Sequence, residues 1–244
     1  MGALGHYLEA AGVPTTGISL IREHTERVRP PRALWVPFEL GRPLGAPDAP
    51  AFQRRVAAGA LNLLERPAGP VLEVFPEDAP PAGNGDAPWA CPVSLDPPAP
   101  GGGAPGLVAA LEAEVRRLRP WYDLHVRRTG RTAAGVSGLD PEAVVGFLGA
   151  FLTGAIPESP RAELSTAVCL WLAAQDLRAF HFEAVTAQPG TGAPGSRAFA
   201  EWFWGETAAG RALRAVGKVC QGAADPGLQT VGQRFLVPVG GRGG

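Results

Sequence analysis

Residues 22–42 carry side chains that can hold an anion and move a proton. They are Arg22, His24, Glu26, Arg32 and Arg42. Arginine binds carboxylate through two parallel hydrogen bonds, and histidine titrates near neutral pH. If the strands around these residues are parallel neighbours, the five side chains gather at the carboxyl end of a sheet, where open α/β sheets bind ligands. The group predicts a substrate site for a small carboxylate-bearing molecule. A solvated loop with surface ion pairs is the alternative.

A second group of titratable side chains lies in the last third of the chain, at Asp176, His181, Glu183 and Glu206. Glu206 falls within an apolar helical stripe, so it is expected to be buried and to need a partner. Helical bundles place metal ions on Glu-x-x-His pairs, and that spacing is missing here. We therefore predict no metal site and expect Glu206 to make a structural hydrogen bond.

The three cysteines, Cys91, Cys169 and Cys220, form neither a CxxC pair nor a metal-ligand spacing. Their odd number argues against a disulfide framework and favours a reducing compartment. No phosphate-binding loop or nucleophile motif is present. The residues themselves therefore predict no cofactor and leave the catalytic residue unknown.

The elements that must position the first group form an α/β pattern over residues 1–76. Apolar spacing and β-branched runs predict a helix near the start, strands over 13–21 and 33–38, a helix over 50–65 and a short strand or an extended tail over 71–75. The second strand enters a loop rich in proline and glycine. So few strands make an incomplete parallel sheet, because such sheets need neighbours and cover on both faces. We expect another protein chain, or a second copy, to complete it, or further sequence to precede Met1 in the natural protein.

The rest of the chain is predicted to be a linker and an all-α domain. Residues 77–106 are rich in proline and glycine and predict a linker, and residues 239–244 predict a disordered tail. Residues 107–238 predict a helical bundle. Its expected boundaries are a break at Pro120, a cap at Asp140, a helix opened by Ser159 and Pro160, and a last long helix capped by Ser196.

Charge and hydropathy narrow the classes of partner. The chain has 22 basic and 23 acidic residues and a net charge of −1, so no basic excess points to nucleic acid or to an anionic membrane surface. No apolar run approaches the roughly 20 residues of a membrane span, and the first residues lack the features of a signal peptide. A cytoplasmic location is expected.

Four segments of the sequence resemble a known protein family. They are Gly12-Val13-Pro14 before a strand, Pro31 to Phe38, Leu40 to Gly45, and Gln53 to Val56 opening a helix. Together they resemble the C-terminal end of selenoprotein B, the substrate-binding subunit of the glycine, sarcosine and betaine reductases, which is related to D-proline reductase. The resemblance covers Ala3 to Glu73. It implies reductive cleavage of a substrate C–N bond by a selenocysteine or cysteine that lies just before the helix matching Gly2 to Ala11, a position with no counterpart in this sequence.

Three hypotheses follow. The chain is a selenoprotein-B-like reductase subunit or a fragment of one. Alternatively, it is a non-catalytic binding or scaffold protein that docks another chain through its α/β half. In the third hypothesis it is an unrelated enzyme, with a site at the junction of the α/β half and the bundle that uses His24 and Arg42.

Overall fold

The computed structural model describes residues 2–67, 69–79, 91, 95, 102–189 and 194–238. The chain divides into two compact units, Met1–Ala87 and Pro88–Gly244. The predicted tail and most of the predicted linker lie outside the described residues. The predicted fold class is confirmed, with a small parallel sheet in the first unit and helices in the second.

The first unit alternates helices and strands, whereas the sequence predicted no helix between the first two strands. Its helices are α1 (Gly2–Ala10), α2 (Arg22–Val28) and α3 (Pro50–Asn62), the last followed by a 3₁₀ turn at Leu63–Glu65, and its strands are β1 (Gly17–Ser19), β2 (Arg32–Trp35) and β3 (Val71–Val74). All described strands are parallel, in the order β1-β2-β3. Strand β1 covers three residues, whereas the sequence predicted a strand over 13–21.

The strand register gives the two faces of the sheet different side chains. Ile18 pairs with Leu34, and both point toward α3 in a core with Val56, Leu63 and Phe75. Gly17 pairs with Ala33 on the opposite face. Because neighbours in a parallel sheet point to the same side, that face presents small side chains at the Gly17–Ala33 pair, and Ser19 and Trp35 follow on the same face.

The second unit is a bundle arranged around one central helix. Its described helices are α4 (Gly103–Thr129), α5 (Pro141–Leu152), α6 (Thr166–Thr186), α7 (Ser196–Glu206), α8 (Ala208–Gln221) and α9 (Pro226–Arg234). Helix α6 packs against α4, α5 and α9, and twelve of its 21 residues are buried. A helix that is apolar on most of its circumference belongs at the centre of a bundle.

Two predicted helix starts differ from the structure. Helix α4 begins at Gly103, inside the predicted linker, and it continues through Pro120. An interior proline removes one backbone hydrogen bond, but the apolar side chains of Leu111, Val115 and Leu118 pack this helix into the core. Helix α6 begins at Thr166, where Ser165 accepts a hydrogen bond from the Val168 backbone, and not at Ser159.

The predicted last long helix is two helices. Thr207 has extended backbone angles and separates α7 from α8. Its hydroxyl accepts a hydrogen bond from the Gly210 backbone at 2.9 Å, which caps α8. The predicted cap at Asp140 is confirmed, since its carboxylate accepts from the Ala143 backbone at 2.8 Å.

Among the helices that the structure describes, none combines the length and the apolar character needed to cross a membrane.

Candidate functional site

A groove of about 530 Å³ runs along β1. Helices α1 and α2 form its walls, Gly17 and Ala33 lie on its floor, and Leu40 closes one side. The small side chains of the floor leave room for the groove between the two helices, and it reaches the carboxyl end of β1 at Ile21. Its volume is within the range of small-molecule sites, about 300–1,000 Å³.

His24 is the one member of the first predicted group that lines this groove. Arg22 forms an ion pair with Glu26 at 2.8 Å, and its guanidinium lies 5.6 Å from the centre of the Trp35 ring. Arg42 lies 3.5 Å from the carboxylate of Glu39. All these side chains follow the carboxyl ends of β1 and β2, as the sequence predicted.

Arg32 does not join the other four. It begins β2, so it lies at the amino end of the sheet, whereas Arg22, His24, Glu26 and Arg42 follow the carboxyl ends of their strands. Its buried guanidinium donates to Glu9 at 2.5 Å and to the backbone oxygen of Arg66 at 2.6 Å. The prediction placed Arg32 at the wrong end of the sheet. It assumed that every polar residue near a strand lies after the carboxyl end of that strand.

Glu9 and Arg32 fix one wall of the groove. The carboxylate of Glu9 accepts from the Thr15 backbone at 2.5 Å and from Arg32, and so ties α1 to the start of β1 and to β2. The Thr15 backbone hydrogen bond is the largest cause that lowers the pKa of Glu9, and the Arg32 charge acts in the same direction.

The groove offers neutral hydrogen-bonding groups among apolar side chains. Thr25 donates to the Ile21 backbone oxygen at 2.9 Å and is hydrogen-bonded to Ser19. Leu4 and Leu40 line the groove and remain 55% and 73% exposed. With the imidazole of His24, this set suits a small amphipathic molecule that has an apolar part and a polar end.

Two buried carboxylates of the second predicted group anchor one loop. Asp176 accepts from the backbone of Gly135, Val136 and Ser137 at 2.8–2.9 Å and from the Ser137 hydroxyl. Glu183 accepts from the Ala133 backbone at 2.7 Å. Because their oxygens bind residues 132–137, these two side chains hold the chain between α4 and α5 against α6.

The third member, His181, pairs with a residue that the sequence analysis missed. Its Nε2 lies 2.9 Å from the carboxylate of Glu114, and its Nδ1 donates to the Leu177 backbone oxygen at 2.7 Å. Glu114 also accepts from the backbone of Ala208 and Ala209, at the start of α8. The sequence does contain the pattern that indicates a buried carboxylate, because Glu114 lies between Leu111 and Leu118 in the apolar stripe of α4.

Glu206 is exposed, so the prediction that it is buried was wrong. It is the last residue of α7, where Thr207 turns the chain, and the apolar stripe does not continue through it. Within the described ranges, no group of three or more histidine, cysteine, aspartate or glutamate side chains is placed to hold a metal ion.

None of the three cysteines lines the groove. Cys169 and Cys220 are buried free thiols, and burial raises the pKa of Cys220 to about 11. Cys91 is half-buried and packs against the helical core, with its Sγ 4.0 Å from the side-chain oxygen of Gln188. A thiol with a raised pKa is a poor nucleophile, so Cys220 is suited to packing.

Comparison of the chain with models of protein families found no match. Comparison with curated proteins and with solved structures found no significant match either.

Proposed function

We propose that this chain is a subunit of a selenoprotein-B-like reductase and that its α/β unit positions an amino-acid-like substrate in the groove beside β1. The supporting observation is the groove itself, which has the volume of a small-molecule site and contains His24 at the carboxyl end of β1. The residues that carry the family resemblance, Ala3 to Glu73, include nearly all the residues that build this groove.

In this proposal a thiolate or selenolate bonds to the substrate carbon, and the amine leaves with the electron pair of the broken C–N bond and accepts a proton from His24. The exposed leucines contact the aliphatic part of the substrate. Arg22 and Arg42 lie beyond the groove in exposed ion pairs, which contribute at most about 1 kcal/mol each. A substrate carboxylate can therefore recruit either guanidinium at small cost.

In this proposal the reactive thiol or selenol approaches the groove from the start of α1. The resemblance puts that group just before α1, and Gly2, at the start of α1, lines the groove. A thiol or selenol just before α1 therefore lies beside the groove that His24 also lines. The α/β unit then contributes substrate binding and proton transfer, and the thiol or selenol contributes the electron pair that displaces the amine.

A titration of the isotopically labelled full chain with glycine, sarcosine, betaine and D-proline tests the proposal. We expect one of these compounds to shift the amide resonances of Ser19, His24 and Thr25 and to leave those of the helical unit unchanged. The proposal fails if all four compounds leave the groove resonances in place. It also fails if the shifts fall in the helical unit.

A second candidate function is docking of another protein chain without catalysis. It is favoured by the apolar side chains exposed around the groove and by the edge position of β1, which pairs only with β2 in the described part of the chain. Light scattering of the purified protein over a range of concentrations tests self-association, and co-purification from the native host tests a different partner. A monodisperse monomer that co-purifies with nothing would count against docking.

A further inference from the structure

Helix α6 leaves one narrow stripe outside the core of the helical unit. The stripe consists of Val168, Trp171, Gln175, Arg178 and Phe182, which follow one another at steps of three and four residues. We call this set the α6 stripe. Trp171 and Phe182 are 38% and 39% exposed, although the rest of the helix is packed into the bundle.

An aromatic side chain from outside α6 packs beside each of these two rings. Phe235, which is 47% exposed, lies 6.0 Å from Trp171 between ring centres, and Phe199 lies 5.1 Å from Phe182. Isolated exposed apolar residues are normal on a protein surface. The α6 stripe instead carries an exposed aromatic side chain on each side of Gln175 and Arg178, each beside a second ring, and clustered exposed aromatic side chains are typical of an interaction surface.

Arg178 is the one charged residue of the α6 stripe. It is half-buried, and it donates to the Ala174 backbone oxygen at 3.2 Å and to the Gln175 side chain at 3.0 Å. No carboxylate of the described residues lies within ion-pair distance of it. Burial alone lowers the pKa of its guanidinium, so the stripe holds a partly desolvated positive charge that no carboxylate of the described residues neutralises.

We infer that the α6 stripe binds a segment of a partner protein that places an aspartate or glutamate against Arg178, between apolar residues that cover Trp171 and Phe182. Interface centres are enriched in tryptophan and arginine, which matches this surface. A second copy of the chain fits it less well. Two copies related by a two-fold axis at the stripe would bring two Arg178 side chains together with no acid on either stripe.

A selection from a displayed library of random dodecapeptides against the immobilised full chain tests this inference. We expect enriched peptides to carry an acidic residue with apolar residues within four positions on both sides. Replacement Arg178→Gln is expected to raise the dissociation constants of these peptides at least about tenfold, as does loss of one partner of a desolvated charge pair.

Three further variants of the protein are compared with the wild type in this test. Arg116→Gln removes an arginine from an exposed ion pair on α4 and should leave binding unchanged. Arg178→Glu should select peptides with a basic residue in place of the acidic one. Because substitution of Arg178 could disturb α6, Trp171→Ser gives an independent variant that should also lose binding.

Four outcomes would overturn the inference. They are an absence of enriched peptides, enriched peptides without an acidic residue, binding that is unchanged in Arg178→Gln, and a dimer in solution that Trp171→Ser dissociates. The last outcome would assign the surface to a second copy. The inference concerns the helical unit and does not depend on the proposed function of the groove.

Discussion

Single buried carboxylates join separate helices of the helical unit through hydrogen bonds. Glu114 receives hydrogen bonds from two backbone groups of α8 and pairs with His181, so it joins three helices at one point. The sequence singled out Asp176, His181, Glu183 and Glu206 as one titratable group, and it expected a structural partner for Glu206 as a buried carboxylate. It missed Glu114, although that residue lies in the apolar stripe of α4, and it misjudged Glu206, since spacing alone cannot show where a helix ends.

Replacement Glu114→Gln should lower the free energy of unfolding by about 3 kcal/mol, because it leaves His181 and the start of α8 without a buried charged partner. Urea denaturation followed by far-ultraviolet circular dichroism measures the loss. The matched control is Glu112→Gln on the same helix, where the exposed side chain should change stability by less than about 0.5 kcal/mol. Equal effects of the two replacements would contradict the role of the buried pair.

Glu9 should make the α/β unit sensitive to acid. Its folded pKa is lowered, chiefly by the hydrogen bond from the Thr15 backbone, so its contribution to stability is present above the ordinary glutamate pKa of about 4.3. That contribution is lost as the pH falls through the lowered folded pKa. The amide resonance of Thr15, followed from about pH 7 to pH 2, should titrate below the ordinary glutamate range. In Glu9→Gln the inflection should disappear. An inflection at or above the ordinary range would refute this account.

The ends of helices match the sequence prediction where a local signal determines them. They differ from it where tertiary packing determines them. Asp140 begins α5 as predicted, because a cap and a first-turn proline are local signals. Pro120 was expected to end a helix, but the packing of α4 on the core outweighs the lost hydrogen bond. The division between α7 and α8 at Thr207 was missed for a related reason, since the apolar pattern continues on both sides of the break.

Replacement Pro120→Ala should therefore stabilise the protein by about 1 to 3 kcal/mol, because alanine restores an amide that can donate to the Arg116 backbone oxygen. The urea midpoint measures the gain. Pro141→Ala is the control, since Pro141 occupies the first turn of α5, where its missing amide costs nothing. A gain in the control and none at Pro120 would contradict this explanation.

At the scale of the whole molecule, the sequence predicted a small parallel sheet followed by a helical bundle, and both are present. It did not predict the groove. The groove depends on the pairing of Gly17 with Ala33, which is a contact between strands that no spacing along the chain specifies. It also depends on α1 and α2 standing apart over that floor, while α3 covers the other face.

The central claim is that the groove beside β1 binds a small amino-acid-like molecule. Replacement Gly17→Val tests it, because Gly17 faces the groove and a side chain added there meets no atom within 4 Å. Valine favours strands, so the fold should tolerate it. Gly146→Ala, at an exposed position of α5 that is equally free of close atoms, is the control.

The deciding measurement is a calorimetric titration of the wild-type protein, Gly17→Val and Gly146→Ala with the compound that shifts the groove resonances. The account predicts that Gly17→Val weakens binding at least about tenfold, as expected when a pocket is filled, while its urea midpoint and the affinity of Gly146→Ala stay at the wild-type values. Wild-type affinity in a folded Gly17→Val variant would contradict the account, because the ligand would then bind somewhere other than this groove.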